Sequence, residues 1–286
     1  MVCGCSVQRL VVDRVGDALA RGGNVYATDD DVELVGAATP FGLKLIESLL
    51  ADSPRHAGLL LAASRGFTQY AYAFVELPAA ELEERNVAAA YAARERARRL
   101  YLRAQAYGLL GLEVAHTGFA DQLARDPVAA LAVLRAADVP LLYWTAASWA
   151  AAISLAKDNA QMLADLPSVQ RLAGRALELD ESYERGALHV LQISLVMAQP
   201  MAESERLSAA RQHFDRAVAL SAGNQAAPYV TYAEAVSIPT NRRAEFESML
   251  DGALGVEPSA APTSRLANEV FQKRARALRL RADQLF

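Results

Sequence analysis

Ala209-Ala210-Arg211-Gln212-His213-Phe214-Asp215-Arg216-Ala217-Val218-Ala219-Leu220 places Ala210, Phe214 and Ala217 at i, i+4 and i+7. On a helix of 3.6 residues per turn these three share one face. The small residues let a neighbouring helix approach closely, and the larger ring between them fills the gap. The same arrangement returns at Ala97, Tyr101 and Ala104. It recurs more loosely at Val169, Ala173 and Ala176, followed by Leu179 and Asp180, and at Phe246, Leu250 and Ala253, followed by Val256 and Pro258. One match in an alanine-rich chain carries little weight. Four matches at related spacings predict a helical repeat, and the competing reading is an unrelated helical bundle.

The spacings are 41 residues from Ala176 to Ala217, 36 from Ala217 to Ala253, and 72 from Ala104 to Ala176. The tetratricopeptide (TPR) period is about 34 residues, and its second helix carries this small–aromatic–small pattern with a proline or acidic stop. The stretch from Ser48 to Pro54 reads as a further, weaker repeat end. The expected fold is therefore all-α: a right-handed helical solenoid of about four TPR-like hairpins, with extra flanking helices. Residues 1–24 are read as an N-terminal segment with a first helix, and 25–286 as the repeat domain. Ala, Leu, Arg and Glu dominate, and all favour helix. Gly22-Gly23-Asn24, Ser53-Pro54, Pro78, Asp126-Pro127, Pro140, Pro167, Gln199-Pro200, Gly223-Asn224, Pro239 and Pro258 cut the chain into helices of roughly 12–20 residues. Most of these prolines fall where a helix would begin and its N–H has no partner.

The chain has 286 residues, is 53% hydrophobic and 22% charged, and carries a net charge of −4. That is ample material for a core and no basic footprint for nucleic acid. No run of 18 or more apolar residues occurs, so a membrane-spanning helix is not expected. The two cysteines, Cys3 and Cys5, leave the rest of the chain without a disulfide framework or a thiolate metal site. Val2-Cys3-Gly4-Cys5 reads like the end of a bacterial lipoprotein signal, with Cys5 as the acylated residue. The charged and apolar stretch that should precede it is missing. Either the start is truncated or these are two ordinary N-terminal thiols. A triacylated Cys5 would supply the multiple chains that stable anchoring needs.

His56, His116, His189 and His213 show no metal-binding spacing. There is no His-Glu-x-x-His, nucleophile elbow, phosphate loop or dinucleotide fingerprint. The reading is of a binding protein with no catalytic residues, no metal and no cofactor. Asp29-Asp30-Asp31 lacks the glycine and distal glutamate of a calcium loop and fits an N-cap better. Two aromatic clusters stand out: Gly66-Phe67-Thr68-Gln69-Tyr70-Ala71-Tyr72-Ala73-Phe74, and Tyr143-Trp144-Thr145-Ala146-Ala147-Ser148-Trp149 leading on to Lys157. One reading is core packing. The other is an aromatic-lined cavity or groove, with Tyr70, Tyr143, Trp144, Trp149 and Lys157 as ligand or partner contacts. An apolar or amphipathic organic acid would suit it, with Lys157 as counter-charge. Arg265, Lys273, Arg274, Arg276, Arg279 and Arg281 read as the solvated face of a capping helix, or else as a dock for an acidic partner.

Several longer strings resemble the T component of TPR-associated TRAP transporters, the TatT family. They are Pro40-Phe41-Gly42-Leu43-Lys44, the cluster from Gly66 to Phe74, and Leu141-Leu142-Tyr143-Trp144-Thr145-Ala146-Ala147. Ile153-Ser154-Leu155-Ala156-Lys157-Asp158 and Leu179-Asp180-Glu181-Ser182-Tyr183-Glu184-Arg185-Gly186-Ala187 complete the set. The resemblance covers residues 5–286. It implies a periplasmic lipoprotein, lipid-anchored to the outer membrane through Cys5 and often a homotrimer. It also implies docking of a substrate-binding P subunit and a channel or cavity in each protomer. A general TPR scaffold for cell-envelope assembly is the rival reading. The chain departs from the family in lacking a signal sequence and in placing Cys3 where another small residue is usual.

Overall fold

The computed structural model describes residues 23–83 and 85–286; Cys3 and Cys5 lie outside them. The described residues are all-α, with no strand among them. They form two compact units, one comprising residues 33–179 and the other residues 25–32 with 180–286.

A short helix α1 (Gly23–Ala27) opens the described residues; in the first unit α2 (Val32–Asp52) leads to α3 (Ala57–Ala71), which continues through a π-turn (Tyr72–Glu76) into α4 (Leu77–Leu82). Then come α5 (Val87–Ala115), α6 (Phe119–Arg125), α7 (Pro127–Ala132), α8 (Val139–Ser154), α9 (Ala160–Leu163) and α10 (Leu166–Leu179). Helix α5 is central, with α3 and α8 both packed along it. Its 29 residues exceed the expected helix length. Asn86 caps it by accepting the Ala89 N–H at 3.0 Å. The three helices come close together at Gly108, where a Cβ would lie 2.1 Å from Thr145 Oγ1 and 3.0 Å from Ser64 Oγ.

The second unit holds α11 (Ala187–Met197), α12 (Glu203–Leu220), α13 (Ala227–Tyr232) with a π-turn (Ala233–Ser237), α14 (Arg243–Leu254), α15 (Arg265–Leu280) and α16 (Ala282–Leu285). Its core joins Ala210, Phe214, Phe246, Leu250 and Ala253, and Ala217 is buried as well. In the first unit Ala97, Tyr101, Ala104, Val169, Ala173 and Ala176 are likewise buried. All four stripes read from the sequence thus face cores.

The prolines behave differently from expectation at three places. Pro40 lies inside α2. Pro78 and Pro239 each follow a π-turn by two residues instead of cutting the helix cleanly. Proline lacks an N–H and its ring collides with the carbonyl four residues back. Widening the preceding turn relieves that collision: Leu77 N–H reaches back to Tyr72 O, and Ile238 N–H to Ala233 O. The basic face of α15 is also not simply solvated. Arg265 pairs with Asp30, Arg274 with Glu234 at 2.5 Å, and Arg279 with Asp251 at 2.5 Å. In the triple acid, Asp29 accepts the Asp31 N–H at 2.9 Å just before α2.

Helix α2 is long and apolar enough, by length and composition, to cross a membrane, although no such span was expected. It buries Val35, Leu43 and Leu50 while Leu34, Phe41 and Leu45 stay exposed, Phe41 at 75%.

Candidate functional site

The second aromatic cluster lies on α8. A short 3-10 turn (Ala136–Asp138) starts this helix, and Asp138 fixes the entry by accepting from Arg135 N–H at 2.8 Å and contacting His116 Nε2 at 3.0 Å. Pro140 sits in the first turn, where its missing N–H costs nothing. Trp144 and Ser148 share the inward face: Ser148 is fully buried and Trp144 is 8% exposed. Tyr143 meets the Trp144 ring edge-on at 4.9 Å. The Arg65 guanidinium, from α3, lies 5.7 Å from the Trp144 ring centre. A cation over an indole face is attracted by the ring quadrupole.

Trp149 is half-buried, and its indole N–H donates to Asp165 at 3.3 Å. Lys157 is exposed in the turn after α8. Tyr70, in the first cluster, packs half-buried against a core shared by α3, α5 and the C-terminal end of α8, including Ala151, Ala152 and Leu155. Arg96 stacks 5.8 Å from the Tyr70 ring centre and donates to its hydroxyl at 3.3 Å. Arg103 repeats the motif over Phe67 at 5.0 Å. The structure therefore brings Tyr143 to Trp144 and sets Tyr70 against the far end of the same helix. Burial of Trp144 gives that ring a packing role, and the exposed edge of the site is made by arginines.

Sequence reading overlooked Arg65. It is half-buried, and among the described residues it has no hydrogen-bond or ion-pair partner beyond the Trp144 face. Nothing in the local sequence marks it, because its partner lies on another helix. The Glu76–Tyr101 contact was equally hidden. The π-turn brings Glu76 to the Tyr101 hydroxyl, with which it makes a short hydrogen bond. Burial, followed by the Glu76 charge, pushes the Tyr101 phenol well above its ordinary value.

Among the described residues no three His, Cys, Asp or Glu side chains are placed so as to hold a metal ion together. The histidines that sequence spacing left isolated are not isolated in space. His56 caps α3 by accepting the Leu59 N–H at 3.2 Å, and His189 and His213 touch through their Nδ1 atoms at 2.9 Å.

A protein of Treponema pallidum (strain Nichols), described as "Uncharacterized protein", is 31% identical over 304 residues, covering 100% of this chain and 94% of the relative. Residues 28–286 match the family described as TRAP transporter T-component. That match spans both units, α3 and α8 with their aromatic clusters, and the turn between α10 and α11. This chain belongs to the TRAP transporter T-component family.

Proposed function

We propose that this chain is a non-enzymatic accessory protein of a TRAP-type transporter, acting in the periplasm by docking the substrate-binding P subunit. The observation that carries this reading is the family match across residues 28–286, which implies association with other TRAP components. The exposed apolar face of α2 (Leu34, Phe41 and Leu45) supports it, because contiguous apolar surface of this kind marks sites of association. The reading extends to a TPR-like solenoid, a lipid on Cys5 holding the chain to the outer membrane, and a homotrimer. It also includes an apolar or amphipathic organic acid held near Tyr70, Tyr143, Trp144 and Trp149. Lys157 is the counter-charge proposed from the sequence, and Arg65 is a second cation already set on the Trp144 ring.

The rival reading, a general TPR scaffold for envelope assembly, predicts no link to transport genes. Adjacent genes for a TRAP binding protein and a membrane permease favour the transport role. The direct test is the pair Trp144→Ala and Lys157→Ala, assayed for capture of the purified P subunit and of an aromatic carboxylate. Both variants are expected to fold and to bind more weakly. If both bind as wild type does, the aromatic site is wrong. If Trp144→Ala is destabilised by ~3–5 kcal/mol yet binds normally, the ring serves packing alone.

A further inference from the structure

Among the described residues, the family-like string Leu179–Ala187 contains the most unusual backbone. Glu184, Arg185 and Gly186 have φ of 46°, 59° and 100° in succession. Left-handed residues ordinarily occur singly, because Cβ crowds the following carbonyl. Two of these three carry side chains, so the turn must be held by its surroundings. Gly186 is the required third residue, since a Cβ there would press on Ala217 Cα at 3.2 Å. Arg185 reaches Ser221 O at 3.0 Å, and Gln225 donates to Glu184 O at 3.3 Å.

The remaining tie is a chain of titratable groups. Arg216, from α12, bonds Glu181, with Nε at 3.2 Å. Glu181 meets His189 Nε2 at 3.2 Å, and His189 Nδ1 meets His213 Nδ1 at 2.9 Å. This order fixes the protons. An ionised Glu181 only accepts, so His189 carries its hydrogen on Nε2. Neutral His189 then offers a bare Nδ1, and His213 must donate from its own Nδ1. One added proton is tolerated, because a single hydrogen still bridges the two rings. A second leaves two N–H groups facing each other across 2.9 Å, and the pair must part.

We propose that Glu181, His189 and His213 form a proton-controlled latch, which holds the left-handed turn 184–186 on α12 and releases it when both imidazoles are charged. Burial favours the closed state at neutral pH. Burial pushes both imidazoles down, His213 to about 4 with His189 beside it adding to the shift. Arg216 hydrogen-bonds Glu181, His189 adds a second bond, and together they hold that carboxyl down at about 2. Packed against α11, α13 and its π-turn carry one acid, Glu234, which is bound by Arg274, together with Tyr229 and Tyr232. Because the folded imidazoles sit below their ordinary value, the closed state is complete above pH ~6.5 and is lost as pH falls toward the folded values.

Hydrogen exchange of the full chain, corrected for intrinsic rates, tests this at the Arg185 and Gly186 amides, which donate to Ser182 O and Tyr183 O. Between pH 7 and pH 4 their protection should fall by about tenfold or more while the Val230 and Phe246 amides keep theirs, as a local opening requires. His213→Asn retains a donor for His189 but cannot titrate, so its turn should stay protected at pH 4. Imidazole ¹⁵N shifts at pH 7 should report hydrogen on His189 Nε2 and His213 Nδ1. Unchanged protection in the wild type, loss of all four amides together, the same loss in His213→Asn, or the opposite tautomers would each overturn the latch.

Discussion

Glu47 on α2 receives Tyr107 Oη, Lys44 Nζ and Arg103 Nε, each at 2.7 Å, and its side chain is only 10% exposed. Burial pushes its carboxyl up, but the bonds from Lys44 and Tyr107 and the charge of Arg103 outweigh it and leave the carboxyl below its ordinary value. Its stabilising contribution is present above pH ~4.5 and is lost as pH falls through the lowered folded value. Glu47→Gln should cost about 1.5–3 kcal/mol in urea unfolding at pH 7, and the difference from wild type should shrink below pH 4. The bond from Tyr107 was not legible beforehand, because Tyr107 lies 60 positions away, whereas the Lys44 pair has ordinary i, i+3 spacing. The histidine pair could have been found: His189 and His213 are equidistant from Met201, at the turn between two antiparallel helices. The buried stripes were legible, because spacing within one helix needs no knowledge of its neighbours.

Among the elements, α5 depends on Gly108. Thr145 is β-branched and its hydroxyl already donates to Leu141 O at 2.6 Å, so it cannot easily yield to a methyl group. Gly108→Ala should therefore destabilise the protein by about 1–3 kcal/mol, as overpacking does, despite alanine's better helix propensity; a gain in thermal midpoint would refute the close approach. Helix α2 is the opposite case. Phe41→Ser, at an exposed position, should change stability by less than about 0.5 kcal/mol while weakening association with the partner that α2 engages. Both π-turns escaped sequence reading because proline signals a disturbed helix without saying whether it ends or widens. The prolines that begin α7, α8 and α13 obeyed the simpler rule.

For the whole molecule, the all-α class and the family were legible. Helix-favouring composition and four small–aromatic–small stripes carried the first, and the longer strings carried the second. The division at residue 180 was not, since Leu179–Ala187 has no linker composition and reads as one continuous family string. The aromatic site was legible in its residues but not in its geometry. Trp144 turned inward, and the cations that meet the rings came from other helices, where spacing cannot predict them. Membership in the T-component family points to the cell envelope and to association with other TRAP components. The most direct test of that role is calorimetric titration of the folded chain with the purified P subunit of a TRAP system encoded beside its gene. A saturable complex is expected, with Kd of about 1 μM or tighter, near −8 kcal/mol, weakened by Phe41→Ser. Absence of binding, with both proteins folded by circular dichroism and the P subunit tested with and without its substrate, would contradict it.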